Sequence, residues 1–144
     1  MKAFAASIAA AALAAPAPAL AEPRDRFCIE LDRLLRTAER GGDFVMLQRS
    51  KAAPPRLGFD HCFPAAGSRP SWYCHQTLAP EHLSLESLTG RTAACVPEAV
   101  RSTGRYGRQA IFTLPHARIS IDERGGPRAK VGRIASFRVE ALRP

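Results

Sequence analysis

Alternation of apolar and polar side chains over the last third of the chain constrains the fold more than any other feature. Ala110, Phe112 and Leu114 alternate with Gln109, Ile111 and Thr113, and Ala117, Ile119 and Ile121 alternate with Arg118, Ser120 and Asp122. Ala135, Phe137, Val139 and Ala141 alternate in the same way with Ser136, Arg138 and Glu140. A period of two sends successive side chains to opposite sides of a strand. These segments therefore predict three strands with one apolar face turned inward and one polar face left outside. Residues 123–128 (Glu-Arg-Gly-Gly-Pro-Arg) provide a turn, so the last two strands are expected to pair as a hairpin.

Upstream, residues 57–63 and 71–77 read as two further strands joined by the Pro- and Gly-containing segment 64–70. Trp72, Cys74 and Gln76 would share one face, and Tyr73, His75 and Thr77 the other. Two segments carry helical spacing instead. In the first, Cys28, Leu31, Leu35 and Ala38 recur at steps of three and four with Leu34 alongside, and Arg33, Arg36, Glu39 and Arg40 lie opposite. Asp25 suits its N-cap and Gly41-Gly42 its end. The second starts at Pro80, runs through Leu85, Leu88, Thr92 and Cys95, and stops by Pro97. Gly90 within it costs about 1 kcal/mol relative to alanine. Residues 44–47 lean towards one more helical turn, residues 50–58 read as a loop, and residues 101–108 read as a glycine-rich basic loop.

Helices with single apolar stripes need a surface to cover, and alternating strands need one face covered. The expected fold is α+β: a two-layer sandwich of a mostly antiparallel sheet of about five short strands with two amphipathic helices on one face, in the order α-β-β-α-β-β-β.

Residues 1–21 have the organisation of a secretory signal. Lys2 gives the charged start, residues 3–15 are almost wholly apolar, and Ala19-Leu20-Ala21 is a small-x-small cleavage site. The expected organisation is a cleaved signal over 1–21 and a single disulfide-bonded domain over 22–144, secreted or periplasmic. Removing the signal lowers the apolar share from 46% to about 40%. The 21 basic residues less Lys2 then face 13 acidic ones, a net charge of +7. Outside the signal no apolar run approaches the roughly 20 residues of a membrane span, so none is expected.

Export governs how the cysteines are read. Cys28, Cys62, Cys74 and Cys95 would meet an oxidising compartment in which paired thiols persist as disulfides. Clipping each helix to the strand beside it favours Cys28 with Cys62 and Cys74 with Cys95. The nested alternative joins Cys62 to Cys74 across a hairpin and Cys28 to Cys95 between helices. A zinc site from His61-Cys62 and Cys74-His75 is disfavoured, because alternation sends neighbouring residues to opposite faces. No metal and no cofactor are expected.

Motifs of common enzyme classes are missing: there is no G-x-S-x-G, H-E-x-x-H, G-x-x-x-x-G-K or G-x-G-x-x-G. Ser68 and Ser71 lie near His75 in sequence, but a dyad is defined by geometry, not by proximity along the chain. His82 and Glu86 are spaced as a helical i, i+4 pair, His116 reads as a solvated turn residue, and Asp122 and Glu123 should point to opposite faces. The basic surface is the strongest remaining feature. The chain after residue 21 holds 18 Arg and two Lys, and Arg101, Arg105 and Arg108 bracket Tyr106 on the glycine-rich loop. Guanidinium groups pair bidentately with carboxylate or phosphate, and an adjacent ring stacks on a base or sugar. The functional expectation is a monomeric, non-enzymatic exported binding protein for an acidic envelope component or protein, without nucleic acid as partner. The alternative is an enzyme inhibitor or small hydrolase, with residues 64–70 between two cysteines as the presented loop.

Overall fold

The computed structural model describes residues 25–143 apart from 105, 106, 127 and 131, so the expected signal at 1–21 lies outside the described residues. The first helix, α1 (Arg26–Glu39), starts where Asp25 caps it by accepting a hydrogen bond from the Phe27 backbone N–H at 3.3 Å. Phe27, Leu31, Leu34 and Ala38 form its buried stripe. Burying Leu31 and Leu34 completely contributes about 1.5–3 kcal/mol each relative to exposure. A short helix, α2 (Val45–Arg49), follows as the lean at 44–47 suggested.

All six strands form one antiparallel sheet in the order β1-β2-β6-β5-β4-β3. They are β1 (His61–Ala65), β2 (Ser71–Gln76), β3 (Val100–Thr103), β4 (Gln109–Thr113), β5 (Ala117–Gly125) and β6 (Arg133–Ala141). Helix α3 (Leu85–Cys95) lies between β2 and β3, preceded by a 3-10 turn at Glu81–Leu83 and capped by Ser84, which accepts from the Ser87 N–H at 3.2 Å. The architecture is the expected α+β sandwich with one strand more. The start of the expected basic loop, residues 101–103, pairs with β4 together with Val100; all four are exposed and show no alternation that would mark a strand. The first strand starts four residues later than expected, since Leu57 and Gly58 both have positive φ (52° and 84°) and turn the chain before it.

Phe137, Val139, Ile119, Ile121, Phe112, Trp72 and Cys74 face inward and are almost wholly buried. Helix α1 packs on β6 and β5, where Phe27 meets Phe137 edge-on at 6.0 Å, and α3 packs on β5 and β4. The disulfides are Cys28–Cys95 and Cys62–Cys74, which corrects the favoured pairing of Cys28 with Cys62 and Cys74 with Cys95. Sheet register explains the difference: Cys62 stands directly opposite Cys74 in the β1–β2 pair, with Cα atoms 4.1 Å apart. The remaining two then join α1 to α3.

The end of α1 provides a controlled test of packing. Gly41 and Gly42 both have positive φ and close the helix by donating to the Ala38 and Thr37 carbonyls. A Cβ on Gly41 would meet nothing within 4 Å, whereas one on Gly42 would lie 2.6 Å from the Ala141 Cβ and 3.0 Å from the Pro70 Cβ. Gly41→Ala is expected to cost about 1 kcal/mol for backbone strain alone, and Gly42→Ala at least about 2 kcal/mol more in urea unfolding. Equal losses would show that the 41–42 turn does not pack against β6 as described.

Candidate functional site

Both helices with long buried stripes cover the same side of the sheet, so the opposite side is left as a broad uncovered surface. The strand register places its residues in rows running across the sheet. One row runs His61, His75, Ser136, Asp122 and Gln109; the next runs Phe63, Tyr73, Arg138, Ser120, Ile111 and Ser102. A third runs Ala65, Ser71, Glu140, Arg118, Thr113 and Val100, and Arg124 opposes Ile134 beyond the first.

Four rings gather at the β1–β2 end of this surface. His61 stacks on His75 with centroids 5.7 Å apart, and Tyr73 stacks on His75 at 5.6 Å. Phe63 meets Tyr73 edge-on at 5.6 Å and His75 at 5.9 Å. The Arg138 guanidinium sits 4.9 Å above the Tyr73 ring and joins the cluster to β6. Phe63 is 38% exposed, a large apolar ring left in solvent. Among the described residues, the Nδ1 atom of His75 is buried without a hydrogen-bond partner.

Charge on this face is unevenly neutralised. Glu140 pairs with Arg69 at 3.4 Å, and Asp122 accepts a hydrogen bond from the Gln109 amide at 3.4 Å. Arg118, Arg124 and Arg138 form no ion pair among the described residues. By contrast, Arg133 on the other side of the hairpin is held by Glu123 at 2.7 Å and Glu81 at 3.1 Å. Asp122 and Glu123 accordingly point to opposite sides of the sheet.

The basic loop proposed from sequence is only partly described. Arg105 and Tyr106 lie outside the described residues. Arg101 stands opposite the buried Phe112 in the β3–β4 pair, so it is on the helix side and lines a cleft with Glu86 and Thr89 of α3. Arg108 is exposed at the start of β4. The arginines of the uncovered face come instead from the terminal hairpin, where alternation already marked Arg118 and Arg138 as outward.

Other pairings separate. His82 and Glu86 fall on either side of Ser84, whose extended backbone (φ −63°, ψ 156°) splits the 3-10 turn from α3 and removes their common helical face. Ser71 is buried two positions from Tyr73 and four from His75 along one strand, and the hydroxyl opposite His75 is that of Ser136. The thiols of Cys62 and Cys74 are spent in a disulfide on the inward side, while His61 and His75 are outside. Among the described residues no group of three or more His, Cys, Asp or Glu is placed to hold a metal ion, and no helix is long and apolar enough to cross a membrane. What sequence reading missed was the ring cluster: alternation put Tyr73 and His75 on one face, but only the β1–β2 register brings His61 and Phe63 beside them.

No family model matches the chain, and no curated protein or solved structure matches it.

Proposed function

We propose that the protein is an exported, non-enzymatic binding protein for an acidic partner, and that the uncovered sheet face is its binding surface. One observation carries this reading: three guanidinium groups that have no ion pair among the described residues share a single exposed face with a four-ring cluster. Rings of this kind stack on the flat faces of sugars, and arginine pairs bidentately with carboxylates. Ser102, Ser120, Ser136, Thr113 and Gln109 supply hydrogen-bonding groups between them. Asp122 and Glu140 lie on the same face and can accept hydrogen bonds from hydroxyls. These features favour an acidic polysaccharide, which offers carboxylates, hydroxyls and flat ring faces together.

Exchange of Arg118, Arg124 and Arg138 together for alanine is expected to weaken binding to alginate at low salt by at least about tenfold, and binding by the unaltered protein should fall as salt rises. Uncharged dextran should bind neither form. Retention of alginate binding in the triple variant would overturn the reading, and binding of anionic vesicles in preference to alginate would make a membrane the partner.

A second reading has one observation in its favour. Cys62–Cys74 clips the β1–β2 hairpin three residue pairs below the exposed residues 66–69, the arrangement of an inhibitor that presents one braced loop. Stoichiometric inhibition of a hydrolase, lost on changes at 66–69, is the result that would favour it.

A further inference from the structure

The segment between α2 and β1 has no regular secondary structure from 50 to 60, yet it is tied down along its length. Arg33 of α1 donates to the Ala53 carbonyl at 2.6 Å, and the buried Trp72 Nε1 donates to the Pro55 carbonyl at 3.1 Å. Glu30 accepts from the Leu57 N–H at 2.7 Å. The stretch is about twice the usual length of a connection between elements. Leu57 also holds a left-handed backbone, which costs a residue with a Cβ about 1–2 kcal/mol, and this turn carries its side chain into the core.

Between this pinned loop, the start of α1 and the middle of α3 lies a pocket of about 300 Å³. Phe27, Leu57 and Phe59 line it, each no more than 2% exposed, and Arg26, Arg56 and Arg91 are also in its lining. The volume is at the lower end of the range that small-molecule sites occupy, about 300–1,000 Å³, so a polymer is not the natural occupant. The one carboxylate lining it is already committed to its walls: Glu30 holds Leu57 N–H with one oxygen and Arg26 with the other, the latter at 3.3 Å. The guanidinium groups are less well satisfied. Arg91 lies 4.3 Å above the Phe27 ring and reaches Asp25 only at 3.5 Å, long against the 2.7–2.9 Å typical of a charge-assisted hydrogen bond. Arg56 makes its contact to the Asp60 backbone carbonyl and not to a carboxylate. Beside the pocket, the Cys28–Cys95 bridge locks α1 to α3, so the walls are preformed.

We propose that this pocket binds a small organic anion, a carboxylic acid or a monophosphate ester. Arg26, Arg56 and Arg91 hold the acidic group, and the buried Phe27, Leu57 and Phe59 anchor the walls from behind. The site draws on α1, α3 and the 50–60 loop, with no residue from the uncovered sheet face, so it stands or falls separately from the polysaccharide reading.

The test is titration of the disulfide-bonded protein with benzoate and with phenyl phosphate, followed by backbone amide chemical shifts. Saturable shifts at residues 26–30, 56–59 and 91 are expected, with a Kd below about 1 mM for at least one of the two. Benzoate alone binding identifies a carboxylate site, and phenyl phosphate alone a phosphate ester site. Benzyl alcohol, which keeps the ring without the charge, should bind at least about tenfold more weakly. Arg91→Gln should weaken the anion by about tenfold, and Arg56→Gln, which leaves the Phe27 stack in place, by a similar factor. No saturable shift at these residues, equal binding of benzyl alcohol, or unchanged affinity in both variants would each overturn the proposal.

Discussion

Replacing Cys28 and Cys95 together with alanine is expected to lower stability by about 4 kcal/mol and the thermal midpoint by roughly 15 °C. The bridge spans 67 residues of sequence, so its loss releases a long closed loop into the unfolded ensemble. On the same chain-entropy reasoning, the 12-residue span of Cys62–Cys74 is worth about 3 kcal/mol. The two bridges also do different structural work. Cys62 and Cys74 sit within five consecutive residue pairs of an antiparallel ladder, so the strands remain aligned without the bond. Cys28–Cys95 is the covalent join between α1 and α3, two helices that otherwise each rest mainly on the sheet. Urea unfolding checks the account: the Cys28/Cys95 variant should show a lower midpoint together with a larger slope, because its unfolded chain exposes more surface. A loss below about 1 kcal/mol with an unchanged slope would mean that the helix layer holds without the bond.

The contrast between the two bridges also shows what the sequence makes legible. Alternation depends on burial on one side, so β4, β5 and β6 were readable residue by residue, and the caps at Asp25 and Gly41-Gly42 were readable from local backbone chemistry. β3 was not, because an edge strand exposed at Val100, Arg101, Ser102 and Thr103 buries nothing that would pattern it. The disulfide pairing was open for a different reason: it depends on which strands lie side by side and in what register, a non-local property. The same holds for the candidate surface. His61, Phe63, Tyr73, His75 and Arg138 become one cluster only when β1, β2 and β6 are laid in order, even though β2 and β6 lie some sixty residues apart in the chain. The pocket between α1 and the 50–60 loop was invisible for a further reason. Its pinning contacts run from side chains to backbone carbonyls and amides, which no residue pattern encodes.

Trp72→Ala is expected to cost about 3–5 kcal/mol, on the scale of the longer disulfide. Trp72 is fully buried on the inward side of β2, opposite Pro64 of β1 and Val139 of β6, and a truncated side chain there leaves a cavity that these three strands and the loop at Pro55 cannot close. Trp72→Phe separates two contributions. It retains much of the ring volume but leaves the Pro55 carbonyl without its donor, an unmet buried acceptor worth about 1–3 kcal/mol. Global unfolding alone does not locate that loss, but amide exchange does. The Leu57 N–H is held by Glu30 and the Phe59 N–H by the Arg56 carbonyl, both within four residues of Pro55. If Trp72 anchors the loop, Trp72→Phe should speed exchange at Leu57 and Phe59 by more than at Ile119 or Phe137, whose amides lie in the centre of the sheet and follow global stability. It should also weaken anion binding in the adjoining pocket, because a released loop must be reordered before the ligand is held. Uniform acceleration at all four amides would assign Trp72 to core packing alone and leave the loop to be held by Glu30 and Arg33.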